Sequence, residues 1–434
     1  KKVAYISLTY VPEHHCLYGF LTTNGHQSND DGNDPVDEAE AGQQAPQFQV
    51  ARQVFTRRQE DEFRQLQLRH HKWKNVLKRQ ICTYGDSERQ ELKQSEAELS
   101  ATVARFSALV SPLLSGLGVT TTTTNGTCEE VEDSKQSSGG QNVVEKKWAD
   151  DKDVILVLDT SLFELPWEGL ECFKGANSLS RSFSLAMTYH QLISSEKQAE
   201  NNAGAKQPIG YVVDPEDPTE EKQLSHSFKE SIAAESDKWK GVLADDNDDT
   251  VVVSDGEWQQ LLLDANAFYF AGFGRIMSHI SSLYVAPLDL SQIRFTVIND
   301  KCSVEASNRV QSKLDNQKTE LQLQFESVYN TALLWSLCGV NTVTINQYAI
   351  SVESSVVYQK KMLKDLVSGQ GLASCITAWR SDNSDADSKD QGKEEAKEIK
   401  EGEQLGKQKE IGRIRRRLYD RLNPIMCGVI GAKL

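Results

Sequence analysis

Val154-Ile155-Leu156-Val157-Leu158 is the stretch that decides the fold. It is apolar at every position, as expected for a central parallel strand that is buried on both faces. Similar short apolar runs follow at Ile209–Val213, Ala267–Ala271, Phe295–Ile298 and Thr342–Ile345. The segments between these runs are long enough for crossover helices, and Val352–Val367 and Gln370–Arg380 are predicted to be the last helices. The pattern predicts an α/β fold with a doubly wound, mostly parallel sheet flanked by helices.

The part of the chain before this strand has a different pattern. Val3–Thr23 contains two β-prone runs around a Pro-containing turn, which predicts an N-terminal β-hairpin. Residues 24–46 carry six carboxylates and no Lys or Arg, and we expect them to be disordered. Residues 48–113 have a helical apolar period with a break near 84–86, which predicts two long helices. Residues 119–143 are rich in Thr, Ser and Gly and are predicted to be a second disordered insertion.

The C-terminal part divides by charge. Residues 381–410 hold ten acids and six lysines, and we interpret them as a charged linker after a domain spanning residues 1–380. Residues 411–434 are predicted to be a separate basic amphipathic segment. Its possible partner-binding helix consists of Ile411, Arg413, Ile414, Arg415, Arg416, Arg417, Leu418, Arg421 and Leu422. Such a helix can bind calmodulin, a lipid surface or an acidic partner, or it can dock on a neighbouring part of the chain.

Composition excludes several function classes. The 434 residues carry a formal net charge of −15, which argues against nucleic-acid binding. No apolar run approaches the roughly 20 residues that span a bilayer, so no membrane insertion is expected. The eight cysteines include no CxxC pair, so we expect neither a metal nor another cofactor, and a reduced, intracellular protein. The chain begins at Lys1 without Met, and we expect it to be the C-terminal part of a longer protein.

Several motifs then occur in a recognisable order. Leu165-Pro166-Trp167-Glu168 follows the first strand, and Ser180-Arg181-Ser182-Phe183-Ser184-Leu185 comes next. Tyr211-Val212-Val213-Asp214-Pro215 ends the next apolar run, and Thr331–Ile345 combines a helix, a glycine turn and a strand. Over residues 1–380 this order resembles the CHAT and separase group of caspase-like proteins. The resemblance implies a caspase-like fold and, in its active members, a cysteine peptidase.

The catalytic pair of that group is not matched here. A cysteine peptidase needs a thiolate and a nearby imidazole base. The resemblance places the His of the group's His-Gly pair at Phe273, before Gly274, and its Cys at Asp300. Cys302 lies two residues later and could reach the site only if the loop shifted; His279 would need a similar shift to replace Phe273. We therefore predict a pseudo-peptidase without enzymatic activity, with Phe273, Gly274, Asp300 and Cys302 as its degenerate dyad positions.

Other stretches resemble one family more closely, cilia- and flagella-associated protein 46. They are Asn177–Leu185, Tyr211–Asp217, Glu257-Trp258, Met277–Ile280 and Asn341–Gln347. The resemblance implies a structural component of the C1d projection on the central apparatus of motile axonemes, located in the cytoplasm and cytoskeleton of the cilium. The implied partners are other central-apparatus proteins and calmodulin, and tubulin would need the basic helix because its tails are acidic.

Three functions remain open on the sequence alone. The first is the axonemal scaffold. The second is an unusual cysteine peptidase of the separase type that uses Cys302. The third is an adaptor outside cilia that binds a peptide in the degenerate cleft, because the carboxyl ends of parallel strands commonly form binding crevices.

Overall fold

The computed structural model describes residues 2–23, 47–81, 86–119, 149, 152–201, 208–215, 222–244, 253–381 and 418–430. Its strands are β1 (Lys2–Val11), β2 (Cys16–Thr23), β3 (Gln47–Val54), β4 (Lys152–Leu158), β5 (Ser178–Ser182), β6 (Ile209–Val213), β7 (Trp239–Leu243), β8 (Ala267–Phe273), β9 (Phe295–Cys302), β10 (Thr342–Asn346) and β11 (Pro424–Gly428).

The helices are α1 (Arg57–Ile81), α2 (Asp86–Gly116), α3 (Thr160–Phe163), α4 (Leu185–Asn201), α5 (Gln223–Ile232), α6 (Asp255–Asp264), α7 (Ile276–His279), α8 (Ser282–Val285), α9 (Glu305–Asp315), α10 (Glu320–Phe325), α11 (Val328–Leu337), α12 (Val352–Val367), α13 (Leu372–Ser381) and α14 (Leu418–Leu422). None of the helices in these ranges is long and apolar enough to cross a bilayer.

The described strands form one sheet in the order β3-β2-β1-β4-β5-β11-β10-β9-β8-β6-β7. The predicted mostly parallel α/β sheet, the N-terminal hairpin and all five apolar strands are confirmed. Apart from β2 and β3, which pair antiparallel at one edge, the sheet has two internally parallel halves that run in opposite directions. β1, β4, β5 and β11 form one half, and β10, β9, β8, β6 and β7 form the other; they meet at the antiparallel pair β10–β11.

β11 changes the interpretation of the C-terminal part. It lies at the centre of the sheet, where Pro424 pairs with Asn346 and Gly428 with Thr342. The expected division into a domain of residues 1–380 and a separate segment 411–434 is therefore wrong for the described residues 418–430. This strand begins at a Pro and ends at a Gly, and it is only five residues long. Its sequence therefore lacks the long apolar run that identifies a central strand.

The prediction of helix from residue 48 is also wrong at its start, because Gln47–Val54 is strand β3. This strand pairs antiparallel with β2 along its whole length, and Val50 lies opposite Phe20. The side chains of Ala51 and Gln53 both face α2, as alternate residues of a strand do. The backbone pairing with β2 and these contacts favour a strand here, although the spacing of the apolar residues fits a helix. The two predicted long helices follow as α1 and α2.

Strand β5 is polar in sequence and yet fully buried. Its Arg181 forms a bidentate ion pair with Glu168, and the two side chains are 0% and 1% exposed. The Arg181 guanidinium also donates to the carbonyl oxygens of Phe163 and Leu165. The two motifs Leu165–Glu168 and Ser180–Leu185 are thus joined by one buried charge pair, which fixes the loop after β4 against the sheet.

Helices cover both faces of the sheet. On one face α2, α6 and α11 bury side chains such as Phe106, Trp258 and Trp335 against the strands. On the other face α5, α12 and α13 bury Phe228, Tyr358 and Trp379. Along β8 the side chains alternate between these two layers, as the pleat requires.

Local signals set several helix starts. Ser254 caps α6 and exchanges hydrogen bonds with Glu257, and Ser351 caps α12 by accepting from the Ser354 amide. The predicted helix Val352–Val367 matches α12, and Gln370–Arg380 matches α13.

Several predicted segments lie outside the described residues. They are the disordered insertion 24–46, nearly all of 119–143 and of the linker 381–410, and residues 411–417 of the basic helix.

Candidate functional site

The four degenerate dyad positions meet at the carboxyl ends of β8 and β9. These strands are parallel, and Phe273 is the register partner of Cys302 after an irregularity at Ala271. The Gly274 amide donates to the Cys302 carbonyl oxygen at 3.4 Å. The structure therefore brings the residues selected from the sequence into one small region. This region lies at the carboxyl ends of the parallel strands, where such sheets commonly place functional side chains.

Phe273 is part of the core. Its side chain is 5% exposed and lies in the apolar cluster that also contains Cys302, Ile350 and Val352. A phenyl ring can neither accept nor donate the proton that a peptidase base must transfer. At this position the side chain contributes packing.

Asp300 is also turned inward and is 1% exposed. Its carboxylate accepts from Lys301 Nζ at 2.8 Å and from the Ile276 amide at 3.3 Å. Burial raises the pKa of Asp300 and lowers the pKa of Lys301, and each charge opposes the shift of the other. Lys301 Nζ also donates to the Asn346 carbonyl oxygen at 2.7 Å, so this pair links the ends of β9 and β10.

The backbone at the two strand ends is unusual. Gly274 has φ of 70° and Lys301 has φ of 61°, both in the left-handed region. The positive φ of Gly274 favours glycine at this turn, and a Cβ there would lie 2.5 Å from Gln311 Oε1, so the Gln311 side chain would have to move. Lys301 holds its angle through the ion pair with Asp300 and its contact to Asn346.

His279, the alternative base, ends helix α7. Its Nε2 lies 2.9 Å from the Phe273 carbonyl oxygen, and its ring lies 5.7 Å from that of Phe270. Because a carbonyl oxygen only accepts, this bond requires the proton on Nε2. His279 therefore binds the backbone of the residue it was considered to replace.

A cleft of about 450 Å³ opens at these strand ends. Gly274 and Cys302 line it, whereas Phe273 and Asp300 do not. Helix α1 contributes His71, Lys74 and Lys78 to one wall, and Glu164 pairs with Lys74 beside them. These α1 residues were not expected from the sequence, because nothing in a helical period shows which distant strands the helix will cross.

Arg275 closes another side of the cleft. It binds Asp315 with two nitrogens and donates from Nε to Glu326 Oε2 at 2.8 Å. Lys318 pairs with the same Glu326. The network ties the segment after β8 to α9 and to the turn before α11, so the wall is held by charge pairs that sequence inspection did not identify.

The described His, Cys, Asp and Glu side chains include possible metal ligands and several buried thiols. Within those ranges no group of three or more His, Cys, Asp or Glu side chains is placed to hold a metal ion. Burial raises the pKa of the Cys172, Cys375 and Cys427 thiols to about 12. All six described cysteines are buried and none is in a disulfide.

The described end of the predicted partner-binding helix packs on the chain itself. Leu422 is 5% exposed and lies in a cluster with Leu99 and Tyr419, and Leu418 packs against it. Arg421 is partly buried. Ile411, Arg413, Ile414, Arg415, Arg416 and Arg417 lie outside the described residues. Leu418 and Leu422 thus serve internal docking, the alternative that the sequence had left open.

Comparison with known proteins shows which solved structures share this fold. No protein-family model matches the chain. Two crystal structures of the Saccharomyces cerevisiae separase–securin complex match with a TM-score of 0.58 and 10% sequence identity. Each match covers 98% of this chain and 30% of the separase chain. The chain has the caspase-like fold of separase and spans less than a third of that protein's length.

Proposed function

We propose that this chain is a caspase-like module that does not cleave peptides and instead holds partner proteins in a structural assembly. The observation that carries the proposal is the pair of dyad positions: Phe273 is core packing, and Asp300 is bound to Lys301. Catalysis by a thiol needs a base within hydrogen-bond reach of the sulfur. The residue at the base position supplies none.

Thiol reactivity tests the inactive state. A catalytic cysteine is held partly as thiolate and reacts faster than buried structural thiols. We expect an electrophilic thiol probe at pH 7 to label Cys302 no faster than Cys172 or Cys427 in the native chain, with peptide mapping as the readout. Labelling of Cys302 well ahead of both would contradict the proposal.

The cleft supports partner binding. Its volume of about 450 Å³ lies within the range of ordinary binding pockets, and exposed His71 and Asn75 stand at its α1 wall. The separase that shares this fold was solved in complex with securin. Asn75→Trp should fill the cleft and reduce capture of partners, whereas Lys72→Trp, exposed on the same helix outside the cleft, should not. If the two variants captured partner proteins equally well, the cleft would not be the binding site.

We further propose that the assembly is the central apparatus of motile cilia, at the C1d projection. The resemblance of Asn177–Leu185, Tyr211–Asp217 and Asn341–Gln347 to cilia- and flagella-associated protein 46 supports this place. The proposed partners are other central-apparatus proteins, with calmodulin or tubulin at the basic residues 411–417.

Cell fractionation tests the ciliary location. A tagged chain should stay with demembranated axonemes through low-salt washes and co-purify with central-apparatus proteins on stepped-salt extraction. Recovery only in the soluble fraction would favour an adaptor outside cilia.

A peptidase remains the second candidate because Cys302 and His71 border the same cleft. In that case Cys302→Ala and His71→Gln would each abolish peptide cleavage by the purified chain. We expect neither variant to change a rate, since the wild type should cleave no faster than a buffer control.

A further inference from the structure

Strand β3 forms one end of the described sheet. It is eight residues long and pairs with β2 along one side. Its sequence contains no Pro, Gly or Lys, the residues with which proteins commonly protect an exposed sheet edge. β7, at the other end of the sheet, has this protection, because it is five residues long and contains exposed Lys240 followed by Gly241. The edge at β3 is therefore open to pairing in a way that β7 is not.

The backbone of β3 presents hydrogen-bonding groups on its outer side. The Phe55 amide donates to the His15 carbonyl oxygen at 2.8 Å, and the register with β2 continues from this bond. Because bonded and non-bonded positions alternate along an antiparallel pair, every second residue of β3 turns its amide and carbonyl away from β2. These residues are Phe48, Val50, Arg52 and Val54. None of the described residues bonds to these outward groups.

The side chains of these residues stand on an open face of the sheet. Phe48, Val50 and Val54 are 70%, 64% and 58% exposed, and Phe20 of β2 lies opposite Val50 at 45%. Helix α2 packs on the other face of these strands, where Gln53 donates to a carbonyl oxygen of the helix. A strand that paired with β3 and carried apolar side chains on the open face would remove this apolar surface from water.

Arg52 gives the open face its charge. It is the only charged residue in the sequences of β2 and β3. Its Nε and Nη2 donate to Cys16 Sγ at 3.3 and 3.2 Å, and its guanidinium carbon lies 5.6 Å from the centre of the Tyr18 ring. Within the described ranges these contacts are to a thiol and an aromatic ring and include no carboxylate. A carboxylate directly across from Arg52 on an added strand would form a charge-assisted hydrogen bond with it.

A second copy of this chain fits the edge less well. Antiparallel pairing of two β3 strands along their full length places Val50 of each copy opposite Arg52 of the other. The two Arg52 side chains then become diagonal neighbours about 7–8 Å apart. Since β2 and β3 contain no Asp or Glu, neither copy brings a carboxylate to this face. The charge therefore favours a different partner, one that carries an acidic residue.

We propose that β3 binds an extended segment of a partner protein, which adds as an antiparallel strand at this edge. The segment carries apolar side chains opposite Phe48, Val50 and Val54 and a carboxylate opposite Arg52. Main-chain hydrogen bonds supply affinity in such strand addition, and alternate side chains supply specificity. No residue of β2 or β3 lines the cleft, so this surface is separate from the one in the proposed function and stands or falls independently of it.

Fluorescence anisotropy with the full chain tests the edge. The probe is a fluorescein-labelled peptide, Ile-Thr-Glu-Thr-Ile-Thr-Ile, whose glutamate lies opposite Arg52 when the strands are antiparallel. N-methylation of the isoleucine opposite Val50 removes an amide that faces β3, and it should weaken binding by roughly tenfold or more. N-methylation of the threonine before it is the matched control, because that amide points away from β3. The control peptide should bind like the unmodified one.

The charge is tested by exchange. A peptide with Lys in place of Glu should bind the wild type roughly threefold to tenfold more weakly, as expected for an exposed charge pair. The variant Arg52→Glu should reverse this preference and bind the Lys peptide better than the Glu peptide. If both peptides bound the wild type equally well, the carboxylate opposite Arg52 would be excluded.

A backbone variant completes the test. Val50→Pro removes an amide that does not bond to β2, so the sheet should form while peptide binding is lost. Val50→Thr keeps the amide and should retain binding, and circular dichroism checks that both variants fold. The proposal is overturned if the peptide does not bind the wild type, if the two N-methylated peptides bind equally, or if folded Val50→Pro binds like the wild type. A wild-type dimer in sedimentation analysis that Val50→Pro abolishes would assign the edge to a second copy and would also overturn it.

Discussion

Phe273 at the end of β8 is the parallel register partner of Cys302 at the end of β9, and both side chains lie in one apolar cluster. The carboxyl ends of the two strands therefore lie side by side. The residue at the base position has become part of the core instead. At the position that the resemblance assigns to the base, the chain therefore has a side chain that contributes packing.

The buried pair Glu168–Arg181 should be a main determinant of stability. Glu168→Gln leaves Arg181 uncompensated in the core, so we expect the free energy of unfolding to fall by about 3–5 kcal/mol. Urea denaturation followed by circular dichroism measures the change. Glu171→Gln is the matched control because the Glu171–Lys174 pair is exposed, and it should have almost no effect. Equal effects of the two variants would contradict the importance of the buried pair.

How far the sequence predicts this fold depends on how locally each element is determined. The five apolar runs and the hairpin were predicted because their patterns are self-contained. β3, β5, β7 and β11 were missed as strands. β5 is polar because Glu168 neutralises Arg181, and β11 is short and central only through distant pairing. At the site, Phe273 and Asp300 were selected by resemblance, but their turn away from the cleft depends on packing and on Lys301, which no motif contains.

Gly274 should be intolerant of a side chain. Gly274→Ala places a Cβ against Gln311 Oε1 at a positive φ, so we expect a loss of about 1–3 kcal/mol in the free energy of unfolding. Gly256→Ala is the control, because Gly256 lies in α6 with open space around its Cβ position; it should raise stability by about 0.4–1 kcal/mol. Urea denaturation of both variants would reveal the opposite signs, and a neutral Gly274→Ala would show that the turn is not constrained.

His70 should make stability depend on pH. Burial lowers its pKa from 6.5 to about 3, so the folded chain keeps the imidazole neutral while the unfolded chain takes up a proton below pH 6.5. Its contribution is fully present above pH 6.5 and is lost as the pH falls towards 3. At pH 5 the loss is about 2 kcal/mol.

The variant His70→Phe isolates this effect. It should reduce the fall in unfolding free energy between pH 7 and pH 5 by that amount, whatever its absolute stability. His71→Gln, at the exposed neighbouring position, should leave the fall unchanged. An identical pH dependence of wild type and His70→Phe would show that His70 is protonated in the folded chain.

Peptide cleavage tests the central claim most directly. The purified chain and its Cys302→Ala variant would be incubated with a mixed peptide library at pH 7, and the products compared by mass spectrometry. We predict that both proteins leave the peptide library uncleaved, because Phe273 cannot act as a base at the position that the resemblance assigns to the catalytic His. Cleavage at defined bonds by the wild type that disappears in Cys302→Ala would contradict the account of this chain as a non-catalytic module.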